Sequence, residues 1–206
     1  MPQVSLQEFI TAAQTGDRLL SFPTDTVPAL AIRPDSADLI YRAKQRSQTK
    51  PLILMGADMG DLWPYVTGNE DEKQIWQAVM DQHFPGALTL VLPASDRLPR
   101  AMNPTDPTTI GIRIPDSAIA RHILAQTGPL ATTSVNQSGQ PPLQTMAEIE
   151  AQFPEVLTLK LEELEAIQPA FSPHKSSTAG VPSTVAKWTG QGWEILRQGG
   201  VVLANV

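Results

Sequence analysis

Hydrophobic positions along this chain switch repeatedly between a helical period and a strand period. Leu6, Phe9, Ile10 and Ala13 share one helical face behind Ser5, and Glu8 completes a capping box, so a first helix starts there and stops at Gly16. An apolar run at 19–22 and a second at 27–32 read as strands. Asp35 or Ser36 is the expected cap of a helix carrying Leu39, Ile40 and Ala43, and another strand ends at Leu54. A loop-rich patch follows at 55–68. Asn69 with Glu72 opens a helix bearing Ile75, Trp76, Val79 and Met80, which Pro85-Gly86 closes, and 87–92 is a strand. Ile110, Ile112 and Ile114 alternate with Gly111 and Arg113, which puts a core on one face of a strand and a cation on the other. Asp116 is the expected cap of a helix with Ile119, Ile123 and Leu124, stopped by Gly128-Pro129, and a short strand at 130–133 runs into a polar loop. Thr145 with Glu148 starts a further helix, 156–161 is a strand, and the acidic run 161–167 reads as a solvated edge. Two strands at 183–188 and 193–196 close the chain around a Thr-Gly-Gln-Gly hairpin. Helices alternating with strands make this an α/β chain, expected as one domain over 1–206.

Composition narrows the function classes. An apolar fraction of 41% and a charged fraction of 17% over 206 residues suit a globular fold with a substantial core. A formal charge of −6 argues against a protein built to hold bulk nucleic-acid backbone, though a local basic groove remains compatible. With no cysteine there is no thiol nucleophile, disulfide or thiolate-bound metal. No apolar run reaches membrane-spanning length and no leader pattern opens the chain, so the expectation is a soluble cytoplasmic protein without a membrane partner.

Candidate chemistry collects at the joints of the pattern. Thr24, Asp25 and Thr26 bring three short oxygen-bearing side chains between the first two strands, and Lys44, Arg46 and Lys50 fall within seven positions at a helix end. Three such cations can hold a polyphosphate through charge-assisted hydrogen bonds, although cations in a last turn also simply offset the helix dipole. Arg113, with Gly111 leaving open space on the same face, is a second candidate ligand contact. The Ser134–Gly139 stretch, S-V-N-Q-S-G, follows a strand, where open α/β sheets tend to bind ligands; a self-satisfied Ser/Asn turn is the plainer reading. Segment 168–182 reads as a mobile loop with His174 in solvent. The dinucleotide fingerprint, the phosphate loop ending in G-K-[ST], the H-E-x-x-H metal pattern and the G-x-S-x-G elbow are all absent. What remains suits positioning and charge neutralisation of a nucleotide, with no covalent intermediate.

Read together, FPTDTV, KQR…KPLI, HFPGALTLVL, IGIRIPD, GPLATTSVNQSG, PSTV and ILRQGG resemble the YrdC/YciO family of threonylcarbamoyl-AMP synthases, in the family's order and over nearly the whole chain. The resemblance implies a twisted mixed β-sheet flanked by helices around a basic concave cavity. It implies an adenylate made from L-threonine, bicarbonate and ATP with release of pyrophosphate, which a separate transferase complex uses to form threonylcarbamoyladenosine in tRNA. The family's K-x-R…S-x-N signature falls on Lys44, Arg46, Ser134 and Asn136, expected to hold the ATP phosphates and magnesium, with Lys50 beside them. Ser183 of the Pro-Ser-Thr turn and Arg197 would complete the nucleotide site. Thr24 falls at the threonine pocket, and Arg113 would pair with the amino acid's carboxylate. No protein ligand to magnesium is assigned; ATP would carry it.

Three positions depart from the family pattern: Pro28 stands where tyrosine is usual, Met55 where histidine is common, and Ser47 where proline often follows the arginine. Two competing readings accompany the synthase. One is an RNA-binding module of the same fold, gripping tRNA or double-stranded RNA in the basic cavity; the acidic balance and the 5% aromatic content speak against it. The other is a nucleotide-binding protein that hydrolyses ATP after losing its amino-acid site. Segment 172–180 is the candidate lid over the reaction.

Overall fold

All three capping boxes read from the sequence form. Ser5, Asn69 and Thr145 each accept from the third helical N–H, and Glu8, Glu72 and Glu148 reach back. They open α1 (Leu6–Thr15), α4 (Glu70–His83) and α6 (Met146–Gln152) in a computed structural model that describes residues 3–167 and 180–203. Gly16 closes α1 in the left-handed region at φ 71°, where only glycine sits without strain. The remaining helices are α2 (Asp38–Ala43), α3 (Met59–Leu62), α5 (Ala118–Thr127) and α7 (Leu161–Ile167).

The strands are β1 (Gln3–Val4), β2 (Leu20–Phe22), β3 (Ala29–Ile32), β4 (Ile53–Met55), β5 (Leu88–Pro93), β6 (Thr109–Arg113), β7 (Leu130–Ser134), β8 (Leu157–Leu159), β9 (Thr184–Trp188) and β10 (Trp193–Arg197). Among the described residues they form one mixed sheet in the order β1-β8-β2-β3-β7-β4-β6-β5-β9-β10. The expected mixed α/β architecture is what the chain adopts. Helices cover both faces. Leu30, Ile32, Leu54, Leu90 and Ile112 pack with α2, α4 and α6, whereas Leu20, Phe22, Leu157 and Leu159 pack with α1, α5 and α7. No helix among the described residues is long and apolar enough to cross a membrane.

Several local expectations give way to the structure. Neither Asp35 nor Ser36 caps α2: Pro34–Ser36 is a 3-10 turn, α2 begins without a side-chain cap, and Asp35 is drawn to Arg33 Nε at 2.6 Å. Ser117, not Asp116, caps α5, because its hydroxyl accepts from the Ala120 N–H. The acidic run 161–167 is a helix, since Leu164 and Ile167 lie three apart and anchor it on the second core. The patch after Leu54 holds α3 and a 3-10 turn. Strand β1 has two residues, too few to show alternation. The proposed lid at 172–180 lies outside the described residues except for Gly180, and so does His174.

The end of α2 fixes how two of the candidate cations leave the helix. Gln45 sits in the left-handed region at φ 49°, its N–H donates to Arg42 O at 3.2 Å, and the Arg46 N–H donates to Tyr41 O at 2.9 Å. This is a Schellman ending, and it projects Lys44 and Arg46 from a sharp chain reversal rather than from a continuing helix. Gln45→Gly should therefore leave stability unchanged or raise it by up to about 1 kcal/mol, and Gln45→Val should lower it by about 1–2 kcal/mol. Urea unfolding of the two variants checks this; equal effects would mean that the turn is not strained.

Candidate active site

Strand register brings distant side chains onto one sheet face. Ala29 lies opposite Ser134, Ile53 opposite Thr132, and Met55 opposite Arg113. Paired residues share a face, so these six form a patch across β3, β7, β4 and β6. All six line a cavity of about 230 Å³. Small side chains such as Ala29 and Thr132 occupy positions that core residues fill elsewhere, which leaves the space open. The site thus spreads over the sheet face instead of lying only beyond the strand ends.

Loops supply the rest. Thr24, Val27 and Pro28 come from the β2–β3 turn, Arg46 and Pro51 from the segment after α2, Asn136, Gln140 and Pro142 from the loop after β7, and Pro182, Ser183 and Arg197 from around the closing hairpin. Three arginines and no carboxylate line the cavity among the described residues. Pro28 and Met55, the two departures near the expected amino-acid pocket, are both in its wall.

Lys44 lies immediately behind this wall, 1% exposed. Its Nζ donates to the Ser134 carbonyl oxygen, to Asn136 Oδ1 at 3.2 Å and to Thr133 Oγ1 at 3.4 Å. Asn136 is saturated within the protein. Its Oδ1 accepts from Lys44 and from Ser134 Oγ at 2.6 Å, and its Nδ2 donates to Gln137 O at 2.8 Å and Gln140 O at 2.7 Å. Its part is to hold Lys44, Ser134 and the following loop in place. Arg46 donates from Nε to Lys50 O at 3.0 Å and from Nη2 to Pro51 O at 3.1 Å. Lys50 enters only through that carbonyl; its side chain is exposed and outside the cavity lining.

Arg113, read from the sequence as a candidate ligand contact, is in the cavity lining but almost fully enclosed. Its guanidinium is buried: Nη2 donates to Asp25 Oδ1 at 2.6 Å, Nη1 to Thr26 Oγ1 at 2.9 Å and Nε to Gly86 O at 3.0 Å. Gly111 provides no open space, because Thr89 Cγ2 lies 3.2 Å from where a Cβ would be. Thr24 Oγ1 donates to Val27 O at 2.7 Å, accepts from the Thr26 N–H at 3.2 Å and contacts Thr26 Oγ1 at 3.2 Å. With its own proton committed to Val27, Thr24 must accept from Thr26, so a directed chain runs from Arg113 through Thr26 and Thr24 to the backbone. At the other end, Arg197 donates from Nε to Ser183 O at 3.1 Å and from Nη2 to Ser183 Oγ at 3.2 Å, and Ser183 Oγ is 2.9 Å from Thr89 Oγ1. Sequence reasoning noted Asp25 and Thr26 as oxygen-bearing neighbours but gave them no role, and it missed Thr132, Thr133 and Gln140. Strand pairing reveals the two threonines, and the loop after β7 brings in Gln140.

Burial and mutual repulsion set the electrostatics of these cations. Burial, and then the Arg46 guanidinium, push the Lys44 ammonium down to about 7, while the oxygens around Nζ work the other way. Burial also lowers Arg46 and Arg113, and Arg197 is lowered by burial, then by Arg113 and Arg46.

The family model for Sua5, YciO and YrdC, described as telomere recombination, matches residues 13–199. The chain belongs to that family. A protein of Vibrio campbellii named threonylcarbamoyl-AMP synthase is 33% identical over 156 residues, which cover 72% of this chain and 81% of that one. The crystal structure of P. abyssi Sua5 complexed with L-threonine superposes with a TM-score of 0.76 at 26% identity, covering 95% of this chain and 54% of that chain. This chain therefore spans about half the length of that Sua5. E. coli YciO shares the fold with a TM-score of 0.74 at 20% identity, over 94% of this chain and 88% of that one.

Below pH 7 Lys44 is charged in the folded and the unfolded chain, and the folded state carries the full penalty of burying that charge. As pH rises from about 7 towards the unfolded-state value near ~10.4, the folded state loses its proton first, so this contribution to stability rises across the window. The unfolding free energy of the unsubstituted chain minus that of Lys44→Met should accordingly climb between pH 7 and pH 9. A flat difference in urea titrations would contradict the shift.

Proposed function

We propose that this chain is an L-threonylcarbamoyladenylate synthase, forming threonylcarbamoyl-AMP from L-threonine, bicarbonate and ATP with release of pyrophosphate, for the threonylcarbamoyladenosine modification of tRNA. The observation that carries this reading is the convergence of Arg46, Ser134, Ser183, Arg197, Thr24 and Arg113 on one cavity. The name of the Vibrio relative and the threonine in the Sua5 structure support it.

The residues divide the work by chemistry. Arg46 and Arg197 present guanidinium groups whose bonds within the protein go to neutral oxygens, so their charge is available to phosphate. Ser183 supplies a hydroxyl beside them, and Ser134, whose proton goes to Asn136, an accepting oxygen. Arg113 retains two of its five N–H groups for a carboxylate. Threonine ammonium and bicarbonate give the N-carboxylate, water and one proton, and the carboxylate oxygen then attacks the α-phosphorus of ATP as the bond to pyrophosphate breaks. Charge on the leaving pyrophosphate develops where Arg46 and Arg197 stand, and Lys44 keeps the Ser134–Asn136 corner fixed. Enclosure by Val27, Pro28, Ile53 and Met55 limits water around the labile carbamate.

Magnesium takes oxygen ligands and is often held by one or two carboxylates together with substrate phosphates. The lining has hydroxyl and amide oxygens but no carboxylate, and no group of three or more His, Cys, Asp or Glu could hold a metal among the described residues. These residues fit magnesium carried on the ATP phosphates, with the Ser134 and Ser183 hydroxyls as the protein oxygens in the same cavity. Bound there, the ion would neutralise phosphate charge. The partners proposed are a downstream threonylcarbamoyl transferase complex and, through it, tRNA.

Incubation with ATP, bicarbonate and labelled threonine should yield pyrophosphate and a threonine-bearing adenylate; ADP or orthophosphate without the adenylate would reject the synthase. Arg46→Ala should weaken ATP use by about 1.5–3 kcal/mol. Arg113→Lys, which keeps the charge but loses the planar fork, should raise KM for threonine about tenfold and leave KM for ATP unchanged. Should KM for ATP move instead, Arg113 would belong to the nucleotide half.

A further inference from the structure

Arg113 is the one arginine of the cavity that forms an ion pair among the described residues. Its partner Asp25 lies behind it, outside the lining, and the two side chains are 1% and 5% exposed for Asp25 and Arg113. Gly86 O and Thr26 Oγ1 fix two further guanidinium nitrogens. Arg46 and Arg197 are bonded instead to the neutral oxygens of Lys50, Pro51 and Ser183. The cavity therefore has two kinds of cation: two arginines with full charge and one whose charge is balanced at 2.6 Å.

A site that must take a polyphosphate and an amino-acid carboxylate together has a sorting problem. A polyanion binds most strongly wherever positive charge is least compensated, and three equivalent arginines would let it occupy the carboxylate position as well. We propose that Asp25 sorts the anions: by neutralising Arg113 it directs the polyphosphate to Arg46 and Arg197 and reserves Arg113 for a singly charged carboxylate. This rests on reading the cavity as a site for two anions. Hydrogen bonding still favours the carboxylate at Arg113, because two N–H donors remain, while the long-range attraction that a polyphosphate needs is weakened. Asp25 is thus a positioning and selectivity residue that acts through Arg113.

Calorimetric titration with inorganic pyrophosphate, without metal, tests this on three forms of the full chain. Asp25→Asn keeps an acceptor for Arg113 but removes the compensating charge; it should bind pyrophosphate about tenfold more tightly, and threonine should then compete with pyrophosphate, whereas in the unsubstituted chain it should not. A role for Asp25 in packing alone would not tighten anion binding. Asp25→Asn/Arg113→Gln leaves no buried charge at the position and should bind pyrophosphate as the unsubstituted chain does, which decides the matter even if the single variant does not fold. Unchanged or weaker pyrophosphate binding in Asp25→Asn, or its loss in the double variant, would overturn the proposal. Failure of the unsubstituted chain to bind pyrophosphate would overturn the two-anion reading itself, a distinct result.

Discussion

A buried ammonium group holds this site together. The Lys44 Nζ enters a pocket of oxygens from Thr133, Ser134 and Asn136, some ninety residues along the chain, and is almost inaccessible to water. Burying a charge is unfavourable unless oxygens replace its hydration shell, so the position of Lys44 is tied to the conformation of the loop after β7. Asn136 shares the task, because its four bonds join that lysine, Ser134 and the turn at 137–140. The Schellman ending of α2 supplies the geometry, and pairing of β7 with β3 and β4 brings the oxygens within reach. Together these contacts fix the wall that carries Ser134.

The same arrangement concentrates mutually repelling cations in one small region. Arg197 feels Arg113 and Arg46, Lys44 feels Arg46, and all are partly or wholly shielded from solvent. An anion entering the cavity relieves this repulsion, so ligand affinity and stability are coupled: whatever the fold concedes to keep these cations together returns as binding free energy. Asp25 moderates the balance on one side only. The asymmetry matters because Arg113 is the most deeply buried of the three, so its charge is the one most costly to leave without a partner.

In the proposed synthase, selectivity for the amino acid would rest on a wall that offers few free hydroxyl protons. Thr24 donates to Val27 O, Thr132 to Ile53 O and Ser134 to Asn136, so these groups can accept from a substrate but have no proton to give. Pro28 and Met55 add apolar surface between them. Discrimination by such a wall depends on shape and on accepted hydrogen bonds, and a missing methyl is sensed less sharply than an unpaired polar group.

Much of the outline was legible along the chain. Capping boxes at Ser5, Asn69 and Thr145, glycine stops at Gly16 and Gly128 and the closing hairpin are local signals, because a side chain three residues away or a positive φ decides each of them. The motifs that pointed to the family, and with it to Thr24, Lys44, Arg46, Arg113, Ser134, Asn136, Ser183 and Arg197, were likewise readable without coordinates. The sequence by itself determined most of the element types, the family and the set of charged and hydroxylated residues. Tertiary structure alone decided what each does: that Lys50 turns to solvent, that Asn136 is saturated, that Arg113 is buried against Asp25, and that Thr132 and Gln140 face the same space as Arg46. Hydrogen-bond saturation and charge compensation depend on strands paired across some sixty to a hundred residues, and no spacing along the chain encodes which oxygen will meet which nitrogen there.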